Sequence, residues 1–237
     1  MAFHSAEKCC AVIAAAGQST RMGSGISKQF LTILGMPAIV WTLKAFDEAT
    51  TVKHVVVVCR EEDIEYMKKC IVRYHIKKVT AVIPGGSSRQ ESVSAGVRQL
   101  EPDTDIIAIH DGARPLVKPE EIDACVQDAV RTGASALGVP LKDTIKKIDS
   151  AQCVLSTPKR ESLWAVQTPQ VFRLKLYRSA LEKAQTEGKD YTDDCQLVEQ
   201  LGVRVHLCKG SYENIKLTTA EDLVIAQAIL EQRRKTR

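Results

Sequence analysis

Aromatic residues are scarce in this 237-residue chain, at 5% of positions, and no stretch interleaves rings with cations. A platform for stacking the bases of a nucleic acid is therefore not expected. The eight cysteines form no Cys-x-x-Cys pair and have no histidine at zinc-site spacing, which removes a zinc ribbon and a dithiol redox motif. Several lie inside apolar runs, as in Val58-Cys59 and Leu207-Cys208, where a thiol behaves as a small hydrophobe. A reduced, cytoplasmic setting is the expectation. No apolar run is long enough to span a bilayer and no secretory leader is recognisable, so membrane association is not expected. A strong excess of one charge is missing too: 33 Lys and Arg face 29 Asp and Glu, for a net +4. Part of that excess is the terminal Arg233-Arg234-Lys235-Thr236-Arg237, which reads as a solvated helix end.

The two commonest phosphate loops are also absent. Five residues separate Gly17 from Gly23 and Lys28 follows Ser27, which breaks the Walker A spacing; Gly23-x-Gly25 has no third glycine in register for a dinucleotide fingerprint. What stands there instead is Ala14-Ala15-Ala16-Gly17-Gln18-Ser19-Thr20-Arg21-Met22-Gly23, with Lys28 beyond it, directly after the apolar Cys10-Ala11-Val12-Ile13. Small residues let a backbone come close to a ligand, and backbone N–H groups with two cations offset phosphate charge. The loop predicts a bound polyphosphate.

Apolar runs at 10–14, 54–59, 78–83, 105–110 and 134–139 alternate with helical patterns near 38–49, 61–74, 90–100 and 119–132. Short, continuously apolar strands between helices predict a parallel sheet covered on both faces, within one large α/β domain. Ligands of such sheets lie beyond the strand C-terminal ends. The loops there are polar and small: Pro84-Gly85-Gly86-Ser87-Ser88-Arg89-Gln90-Glu91-Ser92, then His110-Asp111-Gly112-Ala113-Arg114-Pro115. Asp111, beside phosphates, is a candidate Mg²⁺ ligand. Residues 141–168 hold a hairpin pattern with too little apolar surface for a separate domain, so an arm packed on the sheet or on a second subunit is expected. Glu213-Asn214-Ile215-Lys216-Leu217-Thr218 reads as a short strand before a C-terminal helix capped by Thr219 and Asp222. Asp193-Asp194 reads as the acidic first turn of a helix near 192–201. Cys9 and Cys10, adjacent on a strand, should face opposite sides.

Six motifs now stand in order from about residue 9 to 230: Ala-Ala-Ala-Gly-x-Ser-x-Arg-Met-Gly with Lys28-Gln-Phe, Gly85-Gly-x-x-Arg-Gln-x-Ser-Val, His110-Asp-Gly-Ala-Arg-Pro, Asp143-Thr-Ile-Lys, Leu163-Trp-Ala-Val-Gln-Thr-Pro-Gln and Glu213-Asn-Ile-Lys-Leu-Thr. Together they resemble the 2-C-methyl-D-erythritol 4-phosphate cytidylyltransferase family of non-mevalonate isoprenoid synthesis. The resemblance implies a Rossmann-like nucleotidyltransferase fold of class α/β, a mostly parallel sheet with helices on both faces plus a protruding β-hairpin arm. It implies one domain over 1–237, with 141–168 as a dimerisation arm. It implies a homodimer that condenses CTP with the sugar-alcohol phosphate, with Mg²⁺, to 4-diphosphocytidyl-2-C-methyl-D-erythritol and pyrophosphate. Position by position, Arg21 and Lys28 match the family's transition-state cations. Ala14, Ala15, Gly17, Gly86, Ser87 and Ser92 match its CTP contacts. Asp111, Arg114, Thr144, Thr168, Arg160 and Lys216 match its contacts to the sugar phosphate, with Arg160 and Lys216 gripping the phosphate and Arg160 coming from the partner subunit. Ser87 and Glu213 depart from the pattern, since some members carry Asp at each. A related enzyme acting on ribitol 5-phosphate and a non-catalytic nucleotide-binding module are the alternative readings.

The chemistry can be argued from charge alone. A sugar phosphate with a second pKa of about 6 is largely dianionic at neutral pH and needs no general base. The obstacle is joining two anions and stabilising the departing pyrophosphate, which positioned cations do. Arg21, a planar fork, suits the triphosphate, and Lys28, a compact charge, suits the α-phosphoryl oxygens. Arg21→Ala and Lys28→Ala are each expected to lower kcat by roughly 100-fold or more in steady-state kinetics. Near-wild-type turnover in Lys28→Ala would overturn this assignment.

Overall fold

A computed structural model describes residues 7–17 and 28–236. In chain order the first half runs β1 (Cys9–Ala15), β2 (Thr32–Ile33), β3 (Met36–Pro37), α1 (Ala38–Glu48), β4 (Val52–Cys59), α2 (Ile64–Arg73), β5 (Val79–Pro84), α3 (Arg89–Arg98) and β6 (Ile106–Asp111). The second runs α4 (Pro119–Thr132), β7 (Ala134–Pro140), β8 (Lys147–Ile148), β9 (Val154–Ser156), β10 (Trp164–Arg173), α5 (Leu174–Glu187), α6 (Asp194–Glu199), β11 (His206–Lys209) and α7 (Ala220–Lys235). Seven strands make the central sheet, in the spatial order β11-β7-β10-β6-β1-β4-β5. Only β10 runs against its neighbours β6 and β7; the remaining pairs are parallel. The mostly parallel, doubly covered sheet read from the sequence is the one observed.

The strands form because their side chains fit a pleated surface buried on both sides. In β4, Val55 to Val58 are all buried, and β-branched residues suit this setting. Alternation then splits the core in two. Cys9, Ala11 and Ile13 pack with Ile39, Leu43 and Phe46 of α1 and Ile122 of α4. Cys10 and Val12 pack on the opposite face with Val93 and Val97 of α3 and Tyr177 and Leu181 of α5. Each fully buried aliphatic side chain contributes about 1.5–3 kcal/mol relative to exposure, so the two clusters are the main favourable term. Helix ends are set locally: Pro119 starts α4 and Gly133, at φ 86°, ends it in the left-handed region. The Asp222 carboxylate accepts the Thr219 N–H (2.8 Å) at the start of α7, as expected.

Two sequence expectations change. Residues from Trp164 onward pair with β7, Trp164 opposite Pro140 and Ala165 opposite Val139, so they belong to the sheet. The part of 141–168 that leaves the sheet therefore ends at about Leu163 and carries the small β8–β9 ladder. The expected strand at 213–218 is irregular, and the sheet's edge is β11 instead. Here the chain must cross the strand ends, and its backbone groups find partners outside any ladder: Leu217 N–H bonds to Ala113 O (2.8 Å), and Arg114 Nη1 to Asn214 O (2.8 Å).

Gly96 decides how closely α3 lies on the sheet. A Cβ there would meet Val12 Cγ1 at 2.6 Å and Val58 Cγ2 at 3.1 Å. Both valines are buried in central strands and cannot move aside. Gly96→Ala is expected to destabilise the fold by roughly 1–2 kcal/mol in urea unfolding, overpacking outweighing the gain in helix propensity. Unchanged or increased stability would contradict this packing.

Candidate functional site

The C-terminal ends of β1, β5 and β6 open into one cavity of about 340 Å³. Ala14, Ala15, Ala16 and Gly17 form one wall, Gly86 to Arg89 with Ser92 a second, and Asp111, Ala113 and Lys216 a third. The first two walls touch through glycine: a Cβ on Gly85 would collide with Ala16 Cβ and stand 2.7 Å from Ser92 Oγ. Gln29 fixes the first wall, its Nε2 donating to Ala15 O at 2.6 Å. Lys28 begins a single 3-10 turn, Lys28–Phe30. Arg21 lies outside the described residues.

The serines of the second wall are partly committed to the protein itself. Ser92 Oγ accepts the Gly86 N–H (3.1 Å) and donates to Ser88 O (2.9 Å), holding the turn in shape. Ser87 spends both its N–H (2.8 Å) and its hydroxyl (2.6 Å) on Glu91 Oε2. Those bonds hold the Glu91 carboxyl below its usual range.

Asp111 is the electrostatic centre. Its Oδ1 is 3.2 Å from Arg89 Nε, its Oδ2 2.8 Å from Lys216 Nζ and 4.0 Å from Arg114 Nε. Burial alone would raise its pKa, but the Arg89 and Lys216 charges win and hold it well below the carboxylate range. Both oxygens face cations, and no cluster of three metal-ligating side chains occurs among the described residues. Of the two ways read from sequence for Asp111 to hold Mg²⁺, directly or through water, these ion pairs leave no carboxylate oxygen free for the direct one. Glu213 turns away, pairing with Arg233 (2.7 Å) and Lys118 (3.2 Å).

Behind Asp111 lies a fully buried His110. Thr168 Oγ1 accepts the Asp111 N–H (3.1 Å), which leaves its own proton for His110 Nδ1 (3.0 Å); His110 Nε2–H then donates to Arg114 O (3.2 Å). Thr168 so braces the Asp111–Arg114 turn. Burial pushes the His110 pKa down to about 4.

Of the residues expected from sequence, Ala14, Ala15, Gly17, Gly86, Ser87, Ser92, Asp111 and Lys216 line one cavity, with Arg114 and Thr168 against its floor. Thr144 and Arg160 do not join it within the chain: both are exposed on the arm, where Arg160 Nη1 holds Lys142 O at 3.0 Å. Arg89 joins it without having been assigned a role. Its signal was present, an arginine opening a helix after a Gly/Ser turn, but its partners are remote in sequence. Asp193 caps α6 as expected, accepting the Gln196 N–H (2.8 Å), whereas Asp194 is buried and pairs with Arg89 at 2.7 Å.

Because the unfolded chain protonates His110 near pH 6.5 and the folded chain only near 4, protons bind the unfolded state preferentially between these values. Stability should therefore fall by about 3 kcal/mol as pH drops through that window, and His110→Gln should lose this part of the slope in urea unfolding at stepped pH. An unaltered slope in the variant would contradict a neutral buried imidazole.

Comparison with known proteins places this chain in a family. The family model for 2-C-methyl-D-erythritol 4-phosphate cytidylyltransferase matches residues 9–232. Enzymes of that name from Pelotomaculum thermopropionicum and Desulforamulus reducens are each 46% identical, over 96% and 94% of this chain and 96% of theirs. Among solved structures, 4-diphosphocytidyl-2C-methyl-D-erythritol synthase from Anaerococcus prevotii superposes with a TM-score of 0.84 at 30% identity, covering 95% of this chain and 97% of that one. The 2-C-methyl-D-erythritol 4-phosphate cytidylyltransferase from Thermus thermophilus gives 0.77 at 30% identity, covering 94% and 99%. Sharing sequence and fold with these proteins, the chain belongs to the 2-C-methyl-D-erythritol 4-phosphate cytidylyltransferase family.

Proposed function

We propose that the chain transfers the cytidylyl group of CTP to 2-C-methyl-D-erythritol 4-phosphate, releasing pyrophosphate, as a step of isoprenoid synthesis. The observation that carries this reading is the continuity of one cavity from the Ala14–Gly17 wall to Asp111 and Lys216. Two phosphate-bearing substrates can meet there. Ala14, Ala15, Gly17, Gly86, Ser87 and Ser92 take the nucleotide, their small side chains letting phosphate and ribose approach the backbone. Lys216 draws the incoming phosphate in line, and Asp111 and Arg114 take the hydroxyls of its carbon chain. The dianionic phosphate attacks the α-phosphorus; Arg21 and Lys28 stabilise charge on pyrophosphate and the α-phosphoryl group. A divalent cation, Mg²⁺ in this reading, would arrive on the triphosphate oxygens and neutralise them.

The arm completes the site from a second copy. Ile148, Val154 and Leu155 are each at least half exposed on it, an apolar surface that water does not favour and that a partner subunit would cover. Thr144 and Arg160 would then reach the partner's cavity. No helix among the described residues is long and apolar enough to cross a membrane. With cysteines that are free and mostly buried, the cytoplasm is the compartment we assign.

Pyrophosphate release measured with CTP, UTP and ATP against methylerythritol 4-phosphate and ribitol 5-phosphate tests the reaction, with the CTP and methylerythritol pair expected to dominate. Turnover of ribitol phosphate alone would replace the substrate, and no release at all would leave a binding module. Arg160→Ala and Lys216→Ala are each expected to be nearly inactive, yet an equilibrated mixture should regain about a quarter of wild-type activity, because mixed dimers hold one intact site. Failure to complement, with both variants folded, would argue against a shared site.

A further inference from the structure

Arg89 opens α3 at the junction of the two halves of the cavity, and its guanidinium is divided between two carboxylates. Nε faces Asp111 Oδ1 at 3.2 Å, and Nη2 faces Asp194 Oδ2 at 2.7 Å. Asp194 is 2% exposed and accepts the hydroxyl of Tyr177, itself fully buried, at 2.6 Å. A guanidinium offered a single carboxylate tends to take it with two parallel bonds, engaging both oxygens. Held from behind by Asp194, Arg89 gives Asp111 one edge only, so Asp111 Oδ2 stays turned toward Lys216 and Arg114. Two flanking carboxylates also absorb the charge of Arg89, which unfits it as a free clamp for phosphate.

We propose that Arg89, braced by Asp194 and Tyr177, is a positioning residue that fixes the Asp111 carboxylate for recognition of the sugar-phosphate substrate. This rests on the reading of Asp111 as a contact to that substrate. The brace acts through Asp111 and not on the nucleotide, so it should separate the two Michaelis constants. It also predicts an interaction: once Asp111 has lost its charge, disturbing Arg89 has little left to spoil.

Steady-state kinetics of Asp111→Asn, Arg89→Lys, Asp194→Asn, Tyr177→Phe and the double variant Asp111→Asn/Arg89→Lys test this with both substrates varied. Lysine keeps the charge of Arg89 but lacks the planar fork that meets the two carboxylates from separate, fixed nitrogens. Arg89→Lys and Asp194→Asn are expected to raise KM for methylerythritol phosphate about tenfold while moving KM for CTP by no more than about twofold, and Tyr177→Phe to act in the same direction more weakly. Adding Arg89→Lys to Asp111→Asn should change KM by less than about twofold. Multiplicative effects in the double variant, or an equal rise in both Michaelis constants, would overturn the proposal by showing that Arg89 acts independently or structurally. Should Asp194→Asn not fold, Arg89→Lys, at a position open to the cavity, decides alone. An impaired Asp111→Asn beside an unimpaired Arg89→Lys refutes the brace and leaves the substrate reading standing. An unimpaired Asp111→Asn overturns that reading and the brace with it.

Discussion

A single carboxylate, Asp111, held among Arg89, Lys216 and Arg114 where three strands end, is the interaction on which the rest of the site depends. These cations repel one another, and without the carboxylate between them that repulsion would go uncompensated. By pairing with two of them directly, Asp111 allows a dense positive patch to exist in a partly buried place before any phosphate arrives. Its cost is desolvation, which the Arg89 and Lys216 charges offset, while Thr168 on its backbone N–H and His110 on Thr168 hold the turn that carries it. The site is preorganised by groups that do not themselves face the cavity.

That arrangement is possible because the sheet brings together segments far apart in sequence. β1 and β6 are parallel neighbours, so Ala14 lies directly beside Asp111 in the ladder. Gly96 lets α3 press onto β1 and β4, which carries Arg89 to the same end. The antiparallel β10 places Thr168 behind Asp111, and the irregular 213–218 segment crosses the strand ends to deliver Lys216. Packing in the two cores is therefore what sets distances between charges in the cavity.

Much of this could be read in advance, for identifiable reasons. The strands announced themselves because parallel strands buried on both faces are continuous apolar runs, and Val55–Val58 could hardly be anything else. Loops of small and hydroxylic residues after such runs pointed to a ligand-binding edge, and seven of the residues that the family resemblance matched there, with Lys216 from the 213–218 segment, line the cavity. The 213–218 segment misled because Ile215 and Leu217 alternate as a strand would, while its hydrogen-bond partners are the Arg114 guanidinium, which donates to Asn214 O, and the Ala113 carbonyl. Arg89 and Asp194 gave no hint of each other: an arginine at a helix start and an aspartate in a helix's first turn are both ordinary in isolation. Gln29 was hidden in the same way, its partner being a carbonyl on the preceding strand.

Periodicity and loop chemistry are local properties, and so the sequence by itself determined the α/β class, the doubly buried strands, the helix caps and the small-residue loops facing phosphate. Which charges share a carboxylate is not local. Arg89, Asp111, Asp194 and Lys216 sit on separate elements whose spacing is decided by side chains interdigitating in the two cores, and Asp111's ionisation by which cations that packing brings within reach. Pairing, burial and the division of Arg89 between two acids thus came only with the folded chain, because Coulomb energy depends on distance and solvent exclusion, and neither is encoded in any single segment.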